Sequence, residues 1–95
     1  MTTLDKIAGK IIKEQELIIG PLAWEEATSV KGLKVVNREA GEVAIEQGSD
    51  GRTVIDELVN RYVDLFGRAA REACREAAVA LVADLPPGDV PSTLK

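Results

Sequence analysis

No histidine occurs anywhere in this chain of 95 residues, and it holds a single cysteine. The first absence removes Ser-His and Cys-His nucleophile pairs, phosphotransfer through a helical histidine, and any metal site that needs imidazole. The second excludes an intramolecular disulfide. Aromatic residues are almost missing as well: Trp24, Tyr62 and Phe66 are one of each kind. The core must therefore come from Ile, Leu, Val and Ala, and a chain this short buries only a modest fraction of its surface. Long apolar runs are absent, since the longest, AAVALVA at 77–83, is far below the roughly 18–20 residues of a membrane span. The opening stretch MTTLDKIAGKIIKEQE is charged every few positions and lacks the apolar segment of a secretory signal. A cytoplasmic protein with no membrane span is expected.

Net positive charge is lacking too. The formal charge is −4 and the sequence pI about 4.8, whereas duplex binding needs a concentrated positive face, so no nucleic-acid partner is expected. Five lysines match five acids over 1–34, and five arginines match five acids over 52–76. The deficit lies mostly between 37 and 51, where Glu39, Glu42, Glu46 and Asp50 face only Arg38. That acidic stretch suits a basic partner, or is a solvated loop.

What is present is helical periodicity. Leu4, Ile7, Ala8, Ile11, Ile12, Ile18, Ile19, Leu22, Ala23, Ala27 and Val30 recur at steps of three and four, which predicts one helix over 3–31 with a single buried stripe. Thr2 or Thr3 can cap it and Gly32 can stop it. Gln15 falls on the stripe, at its rim or paired across an interface. LKVVN and EVAIEQ flank REAG, a β-hairpin over 33–47 with Gly41 where positive φ is needed. Val43 and Ile45 share its covered face. Ile55, Leu58, Val59, Tyr62, Phe66, Ala69, Ala70, Ala73, Ala77 and Leu81 predict a second helix over 52–84, ended by Pro86 and Pro87. The fold class is α+β, a single αββα domain over 1–85, and the Pro-rich residues 86–95 read as an extended tail.

The second helix would be roughly 48 Å long at 1.5 Å per residue, but a compact globule of this size is only about 32 Å across. Either it bends, with Gly67 as the candidate, or a second chain covers its far end. Small residues favour the second outcome, because Ala69, Ala70, Ala73 and Ala77, with Phe66 and Leu81, let two helix backbones approach closely. The expectation is a homodimer or higher even oligomer, two helical hairpins forming a four-helix bundle. Hairpin edges are available to pair across its axis. The all-apolar end at 77–83 should be enclosed on several sides.

Candidate chemistry is sparse. Cys74 lies near Arg71 and Arg75, which favour a thiolate, but it reads better as a small buried apolar residue. Arg68, Arg71 and Arg75 share a helix face and could clamp an anion; a ladder of ordinary helix pairs, beginning Asp64 to Arg68, explains them more simply. The adjacent acids lie off the apolar stripe, and without histidine no di-metal site is expected. GSDGR has neither EF-hand nor phosphate-loop spacing. No catalytic residue, cofactor or metal is expected.

Gly20–Pro21 interrupts the first helix, and because the apolar phase continues across it, a bend is predicted rather than a break. Trp24 leans back over residue 20, so Gly20 reads as a socket for the indole. These features favour a dimeric protein–protein interaction module of regulatory or scaffolding type, with Trp24, Glu39, Glu42, Glu46, Arg68, Arg71 and Arg75 as its surface. The alternative is a small-molecule sensor with a pocket framed by Trp24 and Tyr62. An enzyme would need an unusual acid-only or Arg-only site.

Overall fold

Thr2 starts the first helix by accepting the Asp5 amide on its hydroxyl while the Asp5 carboxylate accepts the Thr2 amide, both at 3.1 Å, the reciprocal bonds of a capping box. The computed structural model describes residues 2–95. Helix α1 runs Thr3–Ile19, α2 Leu22–Thr28, strand β1 Leu33–Asn37, β2 Glu42–Ile45, helix α3 Gly51–Phe66 and α4 Arg68–Val82. Two 3-10 turns, Pro87–Asp89 and Ser92–Leu94, follow. The class is α+β as expected, but each long helix is divided in two.

Both divisions are made by glycine. Gly20 sits at φ 73°, ψ −154° and Gly67 at φ 77°, ψ −161°, a region open essentially only to glycine. Each closes the preceding helix with its own N–H, to the Glu16 carbonyl at 2.9 Å and the Val63 carbonyl at 2.7 Å. The bend predicted at Gly20–Pro21 is thus a break. The apolar phase survives it because α1 and α2 bury Ile12, Ala23 and Ala27 in one core, not because they share an axis. At Gly67 the chain turns back and α4 lies along α1, which resolves the length conflict: the molecule measures 31 Å along its longest axis. One face of the far end, at Ala78, is therefore covered by the chain itself.

Ile7, Ile11, Ile12, Trp24, Val43, Ile55, Leu58, Val59 and Tyr62 form the centre of the core, each 1% exposed or less. The hairpin pairs Leu33 with Ile45 and Val35 with Val43. It lays Val43 on α1, while Gly41 turns the chain at φ 72°. Gly9, on α1, presses against the Gly41 carbonyl where any β-carbon would stand. Asp5 accepts the Ile45 amide at 2.9 Å, so one outward amide of β2 is already occupied, and cross-dimer pairing along that edge would sacrifice this bond.

The tail is not extended. Pro91 and Leu94 are buried, and the second 3-10 turn packs on α3 and α4. Asp56 secures it by accepting from the Thr93 amide (3.0 Å), the Thr93 hydroxyl (2.7 Å) and the Ser92 hydroxyl (2.9 Å). Burial pushes the Asp56 carboxyl up, and these donors outweigh it, leaving it below the ordinary value. Proline ended the helix as expected, but the apolar Val90 and Leu94 had somewhere to go. No helix among the described residues is long and apolar enough to cross a membrane.

Candidate interaction surface

Within one chain the residues of the expected seam are only partly covered. Ala70 is buried, but the α4 residues buried with it are Cys74 and Ala78, one step round the helix, and they face α1 of the same chain. Ala73, Ala77 and Leu81 are half-buried, and Phe66 and Ala69 are exposed. The Ala-rich end is not enclosed either: Val79 is 67% exposed. The small residues Ala70, Cys74 and Ala78 serve close helix packing within the chain.

Gln15 explains its place on the apolar stripe. Its side-chain amide donates to the Ala70 carbonyl at 3.2 Å and to Cys74 Sγ at 3.4 Å, linking α1 to α4. Burial pushes the Cys74 thiol up to about 11, against a smaller opposing effect of the Gln15 bond. The thiolate favoured by neighbouring arginines is therefore not formed near neutral pH, since Arg71 and Arg75 point outward. Tyr62 is raised as well, by burial first and by Cys74 and Glu26 after it.

Both groups are neutral when folded and ionise more readily when unfolded, so their contribution to stability is complete below the unfolded thiol value near 9 and declines as pH rises toward 11. The Cys74 shift alone is worth roughly 3 kcal/mol at about 1.4 kcal/mol per unit. Urea midpoints should hold between pH 7 and 8.5 and fall steeply above 9.5, with Cys74 labelling by a thiol reagent following global unfolding. Rapid labelling of the folded protein at pH 7.5 would contradict the buried thiol.

Trp24 and Tyr62 do not frame a pocket. Both are buried, at 1% and 0% exposure, and both polar ends are used: the indole N–H donates to Glu16 Oε2 at 2.9 Å and the Tyr62 hydroxyl to the Ala23 carbonyl at 2.7 Å. Nor is Gly20 a socket, because a β-carbon there would meet nothing within 4 Å. Arg38 lies over the indole instead, 5.9 Å from the ring centroid.

The charged candidates are dispersed. Gly67 separates Asp64 and Arg68 onto different helices, so the expected first rung of the ladder is absent. Arg75 pairs with Glu72 at 3.3 Å, Arg71 donates to the Thr93 carbonyl at 3.4 Å, and Arg68 is exposed. The three do not converge on one point. Glu39, Glu42 and Glu46 are exposed on the hairpin. A cleft of about 480 Å³ between α1 and the hairpin turn carries Lys6, Lys10 and Lys13, but Asp5 and Glu42 share it and Lys13 pairs with Glu16 at 3.4 Å. It has no dominant sign. Among the described residues no three Cys, Asp or Glu gather as a metal-holding group.

An apolar region at the two glycine breaks stands out. Leu17 is 81% exposed, Ile18 61%, Leu22 36%, Leu65 50% and Phe66 41%. Gln15, Ile18 and Ile19 from α1 meet Phe66, Ala69 and Ala70 around a cleft of about 160 Å³. Phe66 was a sequence candidate; Leu17, Ile18, Leu22 and Leu65 were not. Their signal was readable, since LIIG and LFG each set large apolar residues directly before a glycine. No family model, curated protein or solved structure matches the chain, so its function has to be argued from this geometry.

Proposed function

We propose that this protein is a small interaction module that self-associates, as a homodimer or higher even oligomer, and presents its remaining surface to another protein in a regulatory or scaffolding role without catalysis. The exposed apolar region around Gly20 and Gly67 carries this reading. Ile18 and Phe66, 61% and 41% exposed, line one cleft. Leu17, Leu22 and Leu65, beside the same two glycines in sequence, expose further apolar surface of the kind that marks interaction sites when it is contiguous. The adjoining turns carry the exposed charges Glu14, Asp64 and Arg68, opposite signs that can pair across a two-fold axis. The lone thiol and the phenol, both buried and held neutral, support a non-catalytic role. The acidic hairpin residues Glu39, Glu42 and Glu46 lie away from the apolar region and remain the surface offered to a basic partner.

Sedimentation tests the first step. The wild type should run as a dimer at tens of micromolar, and Ile18→Glu combined with Phe66→Glu should run as a monomer with unchanged far-UV circular dichroism. Both side chains are already exposed, so stability should move by only about 0.5–1 kcal/mol. A wild type that stays monomeric at 100 µM would overturn the reading.

A further inference from the structure

Ile55, Val59, Tyr62, Phe66, Ala69, Ala73 and Ala77 follow one another at steps of three and four, which on a continuous helix is a single stripe. Ile55, Val59 and Tyr62 are each 0% exposed, yet Phe66 is 41% exposed, Ala69 is exposed, and Ala73 and Ala77 are only half-buried. The sequence thus writes one apolar face across Gly67, and the fold buries it before the break and covers it incompletely from Phe66 onward.

Little holds that break in place. Gly67 is the only residue between α3 and α4, no side chain caps the start of α4, and the space around Gly67 is open. Beyond it, α4 and the tail make self-contained contacts with the rest of the chain. Gln15 bonds Ala70 and Cys74, and Asp56 bonds Ser92 and Thr93. Another copy's α1 and α3 offer the same partners. Returning Gly67 to helical angles joins α3 and α4 into one rod over 51–82, about 48 Å long at 1.5 Å per residue. Its second half then leaves its own α1 and reaches a second molecule.

We propose that two copies of this chain exchange residues 68–95, α4 with its tail, using Gly67 as the hinge. The inference rests on the self-association proposed above and specifies its mode. Exchange recovers every α1–α4 and tail contact between chains rather than within one, and a very short hinge favours it. Phe66 then lies within a continuous stripe, where two rods meet beside Ile18. The apolar region is closed by the same movement that makes the dimer.

Gln15→Cys provides the test, because residue 15 already touches Cys74 Sγ, with the Gln15 amide 3.4 Å away, and Cys74 is the only native cysteine. Mild copper–phenanthroline oxidation of the dimer should give a covalent dimer on non-reducing gels. A second measurement needs no substitution: wild-type protein, half of it isotopically labelled, is refolded as a mixture, and intermolecular NOEs are expected between Gln15 and Ala70. Gly67→Ala should tighten the dimer by about tenfold or more, since alanine resists the closed angles. A wild-type dimer without intermolecular α1–α4 NOEs, together with a Gln15→Cys dimer that forms only an intrachain disulfide, overturns exchange and leaves self-association standing. A monomer at 100 µM overturns both.

Discussion

Trp24→Ala should lower the stability of the fold by about 3–5 kcal/mol, the usual cost of truncating a buried aromatic residue. Folds of this length hold only about 5–14 kcal/mol in total, so the variant should be close to unfolding at body temperature. The reason lies in α2, whose seven residues are too few for a helix to persist unaided. It is held by Ala23, Trp24 and Ala27 in the core, by the indole bond to Glu16 and by the Ala23 carbonyl's bond from Tyr62. Removing the indole deletes most of that apolar surface and leaves Arg38 without the ring it covers. Trp24→Phe keeps the surface and loses the N–H donor, so about 1–2 kcal/mol is expected. Urea denaturation followed by circular dichroism reads both variants. A loss below 1 kcal/mol for the alanine variant would mean that α2 is held by something other than this ring.

Gly9→Ala is expected to destabilise the protein by about 2–3 kcal/mol, although alanine is the better helix former by about 1 kcal/mol. The sign depends on what the new methyl group would meet. Its β-carbon would stand against the backbone carbonyl of Gly41, and a backbone atom in a tight turn cannot swing away as a flexible side chain can. Separating α1 from the hairpin relieves the clash but loosens Val43, which is fully buried; overpacking of this kind usually costs about 1–3 kcal/mol. Gly88→Ala is the control, because its β-carbon would meet nothing within 4 Å. Thermal melts should separate the two by more than 8 °C, at about 4–8 °C per kcal/mol for a chain of this size. Equal melting temperatures would show that the hairpin docks less tightly than the Gly9–Gly41 approach indicates.

Local chemistry was legible in the sequence. Thr2 capping, the hairpin turn at Gly41, the burial of Val43 and the inert Cys74 all follow from residue type and spacing. Direction was not. Periodicity reports which side chains face apolar surroundings, and it is identical whether a helix runs straight into a second chain or folds back on its own. Gly67 decides between these through its two backbone torsions, φ 77° and ψ −161°, which no spacing encodes. The same holds for Gly20, where a shared core preserved the apolar phase across a complete break. Gln15 was half legible: a polar residue on an apolar stripe announces a partner, but the partner lies 55 and 59 residues away. The tail was misread because prolines dominate its composition, while two ordinary apolar residues, Val90 and Leu94, determine where it goes. For the candidate surface, Phe66 is anticipated on the correct element, and the apolar residues set before Gly20 and Gly67 carry a readable signal, but that Ile18 and Phe66 meet depends on where the chain turns.

The Asp5 carboxylate joins two elements that would each open easily alone. The first turn of an isolated helix frays and a two-stranded hairpin is marginal in water, but here one side chain holds the Thr2 amide with one oxygen and the Ile45 amide with the other. Unwinding the helix start and peeling back the strand end thus become a single opening event, with a common free energy for two segments 40 residues apart.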